Sequence, residues 1–292
     1  MKKFFKKDAP VKKARLNRSK AGNFFIIFFL CLSGLFFVLP LYYAVVSSLK
    51  PLNELWVFPP RFYVINPTLK NFSDLFSLMS NSTVPFSRYI FNTFFITIVG
   101  TIGQIIIGSM AAYPLAKHKF PGNAIYFKTV VTALMFNTSV TAIPTYLIMA
   151  KIGWVDTYFA LIIPVFGSTL GVYLMKQFME RIHDSILEAA KIDGASEALI
   201  FWKIVMPQVK PAWLTLMLFA IQGLWNVGAN NYIYSESLKT FPYALGQIVS
   251  AGIARAGVGS AVTVLMLLFP LMVFVLTQSN VIETMTTSGM KD

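Results

Sequence analysis

Charged residues are scarce in this chain: they make up 13% of its 292 residues, whereas hydrophobic residues make up 56%. A soluble domain usually carries about 25% charged residues. The charges that are present fall in blocks, and between them lie apolar runs of about 20 residues, the length that an α-helix needs to cross a bilayer. The composition therefore excludes an ordinary soluble domain and predicts a membrane protein.

Residues that bind metals or act as nucleophiles are also scarce. Cys31 is the only cysteine, which excludes a disulfide within the chain and a thiolate metal site. His118 and His183 are the only histidines, which argues against a histidine metal cluster. The sequence also lacks the Gly-x-x-x-x-Gly-Lys-Ser/Thr loop that cradles nucleotide phosphates. We expect no catalytic residue, no metal and no cofactor on this chain.

Six apolar runs predict an all-α protein with six transmembrane helices between a basic arm, 1–22, and a tail, 280–292. The runs cover 23–48, 89–116, 129–150, 158–178, 212–232 and 260–279, so that the membrane domain spans 23–279. The first run is too long for the apolar part of a signal peptide, and we expect it to be retained. Small residues in the second run allow close helix approach: Gly100, Gly103 and Gly108.

The distribution of basic residues predicts that both termini lie in the cytoplasm. With that orientation, 18 of the 25 Lys and Arg residues lie inside and 7 lie outside, as the positive-inside rule requires. Nine of them precede Gly22. A basic arm beside an apolar helix indicates contact with anionic lipids rather than with nucleic acid.

Acidic residues are absent from the depth of every predicted span. Ion- or proton-coupled carriers usually need a buried ionisable group as a relay. We therefore expect that another polypeptide supplies the energy for any uphill transport. A self-sufficient carrier or channel is the alternative, and it would need a buried charge, a selectivity filter or inverted repeats. The sequence shows no clear internal repeat.

The segment 180–210, between the fourth and fifth runs, predicts a short helix, a turn and a second helix. Asp184 is a candidate N-cap of the first helix, and Gly194 can supply the left-handed conformation that ends it. Ser196 is a candidate cap of the second helix, with Glu197 in its first turn. The second helix is predicted to stop at Pro207 and to present one apolar face, formed by Ala198, Phe201, Trp202 and Val205. Such a pair suits a partner protein.

This segment resembles the EAA loop of the integral-membrane permeases of ABC importers. The form EAAxxDGA is typical of the carbohydrate-uptake branch, which includes the maltose-type transporters. The loop follows the fourth run, and the resemblance extends over nearly the whole chain. The residues that carry it are Glu188, Ala189, Ala190, Asp193, Gly194, Ala195, Phe201, Ile204, Pro207 and Pro211.

The resemblance implies the fold of a type I ABC importer permease and the import of a carbohydrate, with an oligosaccharide as the expected solute. Peptides and polyamines are the alternative solutes. The implied partners are a second related permease, two ATPase subunits that hold ATP and Mg, and an extracellular solute-binding protein. The implied location is the bacterial inner membrane. The tail from Asn280 departs from the family because it carries no aromatic residue.

The resemblance also implies how the loop is used. In the family the loop docks into a cleft on the ATPase and transmits closure of the ATPase dimer to the membrane helices. Carried over, Glu188 makes a charged contact with the ATPase, Gly194 makes the turn, and Ala189 and Ala190 permit a close fit.

Polar residues within three runs are candidates for lining a solute passage. Amides pair with sugar hydroxyls, and aromatic faces stack on sugar rings. Polar side chains in lipid-embedded helices are costly unless paired, so we expect them to face the bundle interior, where helix–helix contact is the alternative role. The absence of buried charge favours a neutral solute. The candidates are Asn137, Thr138, Ser139, Ser168, Thr169, Tyr173, Gln222, Trp225, Asn226, Asn230 and Asn231.

Overall fold

The computed structural model describes residues 20–80, 84–136, 138–227, 232–250, 252 and 255–288, and all regular structure within these ranges is helical. The first half contains α1 (Lys20–Ser48), α2 (Leu52–Leu55), α3 (Lys70–Ser80), α4 (Phe86–Lys117), α5 (Asn123–Ala133) and α6 (Thr138–Lys151). The second half contains α7 (Phe159–Phe166), α8 (Thr169–Glu180), α9 (Asp184–Ile192), α10 (Glu197–Leu199), a π-helix (Ile200–Val205), α11 (Met206–Gln208), α12 (Lys210–Trp225), a 3₁₀ helix (Glu236–Leu238), α13 (Phe241–Ser250) and α14 (Ala256–Ser288).

Four helical stretches of the described chain are long and apolar enough to cross a membrane. They coincide with the first, second, fourth and last predicted runs and cover Ala21–Ser48, Phe86–Lys117, Phe159–Glu180 and Ala256–Gln278. A fifth candidate is the bent pair formed by Glu197–Gln208 and Lys210–Trp225, whose halves meet at 78°. The prediction of an all-α protein with several apolar helices is confirmed for the described residues.

The predicted third and fifth runs differ from the helices in the structure. The third run was predicted as one helix over 129–150, but α5 ends at Ala133 and α6 begins only at Thr138. The break immediately precedes the sequence Asn-Thr-Ser at 137–139, and these residue types favour the start of a helix over its interior. The fifth run was predicted to continue to 232, but α12 ends at Trp225. A count of six spans therefore stays a prediction.

The long helix α4 lies at the centre of the bundle and packs against α7, α8 and α12. Glycine makes this close packing possible, as the small residues of the second run predicted. A Cβ added at Gly108 would lie 3.7 Å from the backbone of Gly171 on α8. A Cβ added at Gly103 would overlap the ring of Phe166 on α7, at 2.0 Å. Because its neighbours touch it so closely, a displacement of α4 must displace α7 and α8 as well.

Hydrogen bonds from one buried asparagine join three segments at the N-terminal end of α4. The Asn92 side-chain amide donates to the backbone oxygens of Ser237 and Lys239, at 2.9 and 2.8 Å. Its side-chain oxygen accepts a hydrogen bond of 2.7 Å from the Tyr158 hydroxyl, next to α7. Asn92 is 0% exposed. This end of α4 is opposite to the end that contacts the segment 180–210.

Candidate functional site

The segment 180–210 folds as a helical hairpin whose turn is made by Gly194. Gly194 has φ +80°, the left-handed conformation that the sequence predicted at this position. A Cβ added there would meet nothing within 4 Å. Glu188, Ala189 and Asp193 are exposed beside it, and Ala190 and Ala195 are half-buried. The residues of the EAAxxDGA sequence therefore form the outer tip of the hairpin, open to a partner.

The caps of the two hairpin helices were predicted with mixed success. Ser196 caps the second helix as predicted, since its hydroxyl accepts the Leu199 N–H at 3.3 Å. Asp184 was predicted to cap the first helix, and this is wrong: it is the first residue of α9, and His183 precedes it without a side-chain capping bond. The Asp184 carboxylate instead accepts a hydrogen bond of 2.7 Å from the Lys117 ammonium. This hydrogen bond lowers the pKa of Asp184.

The second helix of the hairpin is irregular, and the four residues predicted to share one apolar face are divided between buried and exposed positions. Residues Ile200–Val205 form a π-helix, and the Met206 N–H bonds to the Phe201 oxygen. Pro207 follows and has no N–H with which to continue the regular pattern. Of the residues predicted to share one apolar face, Phe201 and Val205 are buried together with Ile200, whereas Ala198 and Trp202 are exposed. The helix continues through Pro207 to Gln208 before it bends.

The inner face of the hairpin packs into the core of the bundle at the C-terminal end of α4. Leu187, Ile200 and Phe201 belong to one buried cluster with residues of α4, α8 and α12. Those bundle residues include Ala112, Tyr113, Met175, Met179 and Leu216. Apolar burial of this kind stabilises by about 25 cal/mol per Å². The hairpin is thus attached to three membrane helices, and it moves with them as one packed unit.

Polar contacts add a second attachment between the hairpin and the last turns of α4. The Tyr113 hydroxyl donates to the Glu197 carboxylate at 3.0 Å, and Lys191 pairs with the same carboxylate at 2.6 Å. The Lys117 ammonium donates to the Ile182 backbone oxygen as well as to Asp184. The Lys117 side chain is only 5% exposed, so these two hydrogen bonds compensate for the burial of its ammonium group. We refer to the contacts of Tyr113 and Lys117 with the hairpin as the α4 tie.

Sequence reasoning did not identify the α4 tie. Lys117 was counted only as one basic residue of a cytoplasmic loop, and Tyr113 was not singled out. The available signal was weak, because a Tyr and a Lys four residues apart lie on the same side of a helix end. Their partners on the hairpin are 65 or more residues away in the chain, and only the tertiary packing brings them together.

The candidate passage residues of the third and fourth runs have separate environments. Ser168 is the N-cap of α8, where its hydroxyl accepts the Gly171 N–H at 3.0 Å, and Thr169 is the first helical residue. Tyr173 is half-buried and stacks on Phe127 of α5, with ring centroids 6.0 Å apart. Thr138 begins α6. Asn137 and the side chains of Thr138 and Ser139 lie outside the described residues.

The candidates of the fifth run divide into exposed and packed side chains. Gln222 and Asn226 are exposed, and the Asn226 amide donates to the Gln222 backbone oxygen at 2.8 Å. Trp225 is 3% exposed, with its ring 4.2 Å from that of Phe269 and its N–H bonded to the Met266 oxygen at 3.1 Å. Helix packing covers the face of the Trp225 ring, which agrees with a role in helix–helix contact, the alternative to lining a passage. Asn230 and Asn231 lie outside the described residues.

Three tyrosines that sequence reasoning missed come together beside the fifth run. The rings of Tyr146 and Tyr232 stack with centroids 6.1 Å apart, and the hydroxyls of Tyr146 and Tyr234 lie 3.2 Å apart. They join α6 to the segment that precedes the 3₁₀ helix. Tyr234 is 60% exposed. Among the described residues, no group of three or more His, Cys, Asp or Glu could hold a metal ion.

The chain matches a known protein family over most of its length. Residues 104–285 match the family described as "Binding-protein-dependent transport system inner membrane component". The chain is 33% identical over 235 residues to Protein LplC of Bacillus subtilis (strain 168), an alignment that covers 78% of this chain and 76% of that protein.

Other relatives carry names that state a solute. The sn-glycerol-3-phosphate transport system permease protein UgpE of Yersinia enterocolitica is 29% identical, with 80% of each chain covered. The polygalacturonan/rhamnogalacturonan transport system permease protein YtcP of Bacillus subtilis is 28% identical, with 77% of this chain and 76% of that protein covered.

The fold matches that of a solved transporter subunit. A chain in the crystal structure of a bacterial ABC transporter involved in the import of the acidic polysaccharide alginate superposes with a TM-score of 0.77 and 23% identity. The match covers 90% of this chain and 98% of that chain. At this identity the match shows a shared fold, that of a type I ABC importer permease.

Proposed function

Because this chain belongs to the family of binding-protein-dependent transport system inner membrane components, we propose that it forms half of a solute passage that opens alternately to the two sides of the membrane. The chain is an ABC importer permease and a transport subunit, not an enzyme. In the proposal, a separate ATPase dimer closes on ATP, the hairpin 180–210 moves with it, and the helices open outward to receive solute. Hydrolysis resets the passage.

The observation that carries this proposal is the two-sided construction of the hairpin. Its outer tip exposes Glu188, Ala189 and Gly194, whereas its inner face is fixed to α4 by packing and by the α4 tie. A displacement at the tip therefore reaches a helix that spans the membrane and contacts α7, α8 and α12. Coupling of two sites requires such a contiguous packed connection.

The tip residues are proposed to divide the docking contact among them. Glu188 supplies a charge to the ATPase surface, and Gly194 holds the turn in the left-handed conformation that an L side chain rarely adopts. Ala189 and Ala190 keep the helix surface flat enough for close approach. Asp193, Ala195, Phe201 and Pro207 shape the hairpin behind the contact.

The proposed assembly contains this chain, a second related permease, two ATPase subunits and an extracellular solute-binding protein. ATP and Mg bind to the ATPase subunits. The family description, which names a binding-protein-dependent system of the inner membrane, supports this assembly. Both termini are proposed to be cytoplasmic, with α5 and α6 together as the third crossing and the segment around α12 as the fifth.

The proposed solute is an oligosaccharide. Support comes from the EAAxxDGA sequence and from the names of the polygalacturonan/rhamnogalacturonan and alginate transport proteins that this chain resembles. The exposed passage candidates Gln222 and Asn226 and the cluster of Tyr146, Tyr232 and Tyr234 offer amides and aromatic rings, the groups that sugars bind. A phosphorylated small solute is the second candidate, because one relative is named for glycerol 3-phosphate.

The test of the proposal compares two glycines with the same backbone conformation. Gly194 and Gly153 have φ +80° and +73°, and a Cβ at either position meets nothing within 4 Å. Gly194→Asp and Gly153→Asp therefore impose the same local strain, but only the first lies on the hairpin tip. We expect Gly194→Asp to abolish solute-stimulated ATP hydrolysis and uptake by the complex reconstituted in liposomes, and Gly153→Asp to retain both.

Equal effects of the two substitutions would show that strain alone is responsible and that the hairpin has no special role. If no ATPase copurifies and the chain alone moves solute, the assignment to an ATP-driven importer is wrong. Immunoblots of the membrane fraction establish that both variants insert.

A further inference from the structure

A basic cavity opens beside the hairpin, between α8, α5 and the turn at 118–122. Its volume is about 700 Å³. Lys119, Lys128 and Lys176 line it, together with apolar residues that include Phe120, Ile125 and Phe127. The cavity plays no part in the coupling contacts described above, yet it gathers three ammonium groups.

The charges around the cavity do not balance. Lys176 is 8% exposed and pairs with Glu180 at 2.6 Å. Lys119 and Lys128 are exposed, and within the described part of the chain neither has a carboxylate within 4 Å. Of the three lining lysines, only Lys176 has an ion-pair partner among the described residues; Lys119 interacts at longer range with the Asp184 carboxylate, which is itself paired with Lys117. Because the unpaired lysines share one opening, the cavity attracts an anion.

The backbone at the cavity adds to this attraction. Gly122, with φ +91°, turns the chain so that α5 begins at the cavity wall, and Ala124 and Ile125 of its first turn line the opening. The first turn of α5 contains no acidic residue. A helix N-terminus carries a partial positive charge and free N–H groups, which favour a phosphate.

The walls of the cavity are fixed rather than loose. The Asn123 side chain donates to the backbone oxygens of Leu115 and His118, at 3.2 and 2.9 Å, which holds the turn after α4. The Lys176 ammonium lies 3.7 Å from the centroid of the Phe127 ring, whose face also stacks on Tyr173. These contacts attach α5 to α8, so the cavity exists without a ligand to shape it.

The apolar surroundings indicate a lipid rather than a soluble anion. Ile125 is 72% exposed and the neighbouring Tyr126 is 64% exposed, and a free phosphate ion would leave both uncovered. The cavity follows the C-terminal end of α4, a helix long and apolar enough to cross a membrane, and tyrosine is common where such helices reach the headgroups. Basic pockets between helices on the cytoplasmic side bind anionic headgroups.

We propose that this cavity binds the phosphate headgroup of an anionic phospholipid of the cytoplasmic leaflet, with Lys119 and Lys128 contacting the phosphate and Ile125 and Phe127 contacting the acyl region. The leaflet assignment rests on the orientation given under the proposed function. The lipid binds beside Glu180, where the hairpin begins, in a cavity that the contacts between α5 and α8 already shape.

Native mass spectrometry of the intact transporter complex tests the proposal, with phosphatidylglycerol as the probe and phosphatidylcholine as the reference lipid. The double variant Lys119→Gln, Lys128→Gln should have an apparent affinity for phosphatidylglycerol that is lower about tenfold or more. Each lysine near an anionic headgroup contributes favourable free energy to lipid binding. The control is Lys70→Gln combined with Lys151→Gln, which removes the same charge from exposed positions elsewhere. An unchanged affinity in the first variant, or an equal loss in the control, would overturn the proposal.

A labelling experiment separates the lipid from other occupants. In a Cys31→Ser background, Ala124→Cys is treated with a maleimide while the complex is in nanodiscs. We expect reaction in phosphatidylcholine, protection by phosphatidylglycerol, and no protection by inorganic phosphate. Protection by phosphate would assign the cavity to a soluble anion, and lack of reaction already in phosphatidylcholine would show that a partner subunit covers it. Either result contradicts the proposal, and neither depends on transport.

Discussion

At the scale of single residues, Asp156 shows how one carboxylate can hold a loop. It accepts hydrogen bonds from the backbone N–H groups of Tyr234 and Ser235, at 2.9 and 2.8 Å, and from the Ser235 hydroxyl. The hydrogen bond from the Ser235 side chain is the main reason why the pKa of Asp156 is lowered. Asp156 therefore joins the segment before α7 to the segment that carries Tyr234.

Loss of this carboxylate should destabilise the loop in a pH-dependent way. A carboxyl whose folded pKa is below its ordinary value of about 4 stabilises the fold above that value, and the contribution disappears as pH falls through the folded pKa. Asp156→Ala should cost about 1–3 kcal/mol at pH 7. Asp156→Asn should cost less, because Asn tolerates the φ of +61° found here and keeps one acceptor.

Thermal melting of the purified complex from about pH 6 down to about pH 2 measures this effect. Wild type should lose stability as pH falls below about 4, and Asp156→Ala should show a smaller change over the same range. Identical melting profiles for wild type and Asp156→Ala would contradict the role given to the carboxylate.

Single residues were predictable where a local rule determines their role. Gly194 and Ser196 have the conformation and the capping bond that the sequence predicts, because both roles depend only on residues nearby in the chain. The same capping rule predicted Asp184 as a cap, but Asp184 is the first residue of α9. Its carboxylate forms an ion pair with the buried ammonium of Lys117 instead. The contact with Lys117 comes from tertiary packing, which a local pattern does not contain.

At the scale of helices, the α4 tie should determine whether ATP hydrolysis is converted into transport. Lys117→Met keeps the apolar stem of the side chain but removes both bonds to the hairpin. We expect the variant complex to hydrolyse ATP while solute uptake per ATP falls about fivefold. A change of this size corresponds to the lower end of typical coupling free energies. Lys70→Met, at an exposed position, is the control.

Simultaneous assays of uptake and phosphate release in proteoliposomes measure this ratio. If Lys117→Met lowers both activities in proportion, so that the ratio is unchanged, the tie contributes only to assembly. If neither activity changes, the path from the hairpin to α4 is wrong.

Helix positions were predictable from apolar length, but helix continuity was not. The runs that became α1, α4 and α14 are long and uniformly apolar, and length alone identifies them. The run at 129–150 is also long enough, yet it breaks between α5 and α6, just before polar residues at 137–139 of types that favour helix starts over helix interiors. The π-helix Ile200–Val205 changes which residues share a face, so Trp202 is exposed while Phe201 is buried, although regular helical spacing predicted that the two lie on one face.

At the scale of the whole molecule, the two ends of α4 should lie on opposite sides of the membrane. The hairpin contacts the C-terminal end through Lys117, and the network of Asn92 and Tyr158 contacts the N-terminal end. In intact cells of a Cys31→Ser background, an impermeant maleimide should label Lys151→Cys. It should label Glu188→Cys only after permeabilisation. Labelling of Glu188→Cys from outside would reverse the proposed orientation.

The proposed coupling requires that the hairpin tip contacts an ATPase subunit. Cross-linking detects this contact. In the Cys31→Ser complex, a benzophenone maleimide is attached to Glu188→Cys, with Lys151→Cys as the matched exposed position at the other end of the molecule. Irradiation and peptide mass spectrometry then identify the protein that each probe reaches. We predict an ATPase peptide for Glu188→Cys and none for Lys151→Cys. Absence of an ATPase cross-link at Glu188→Cys, in a complex that hydrolyses ATP, would contradict the account.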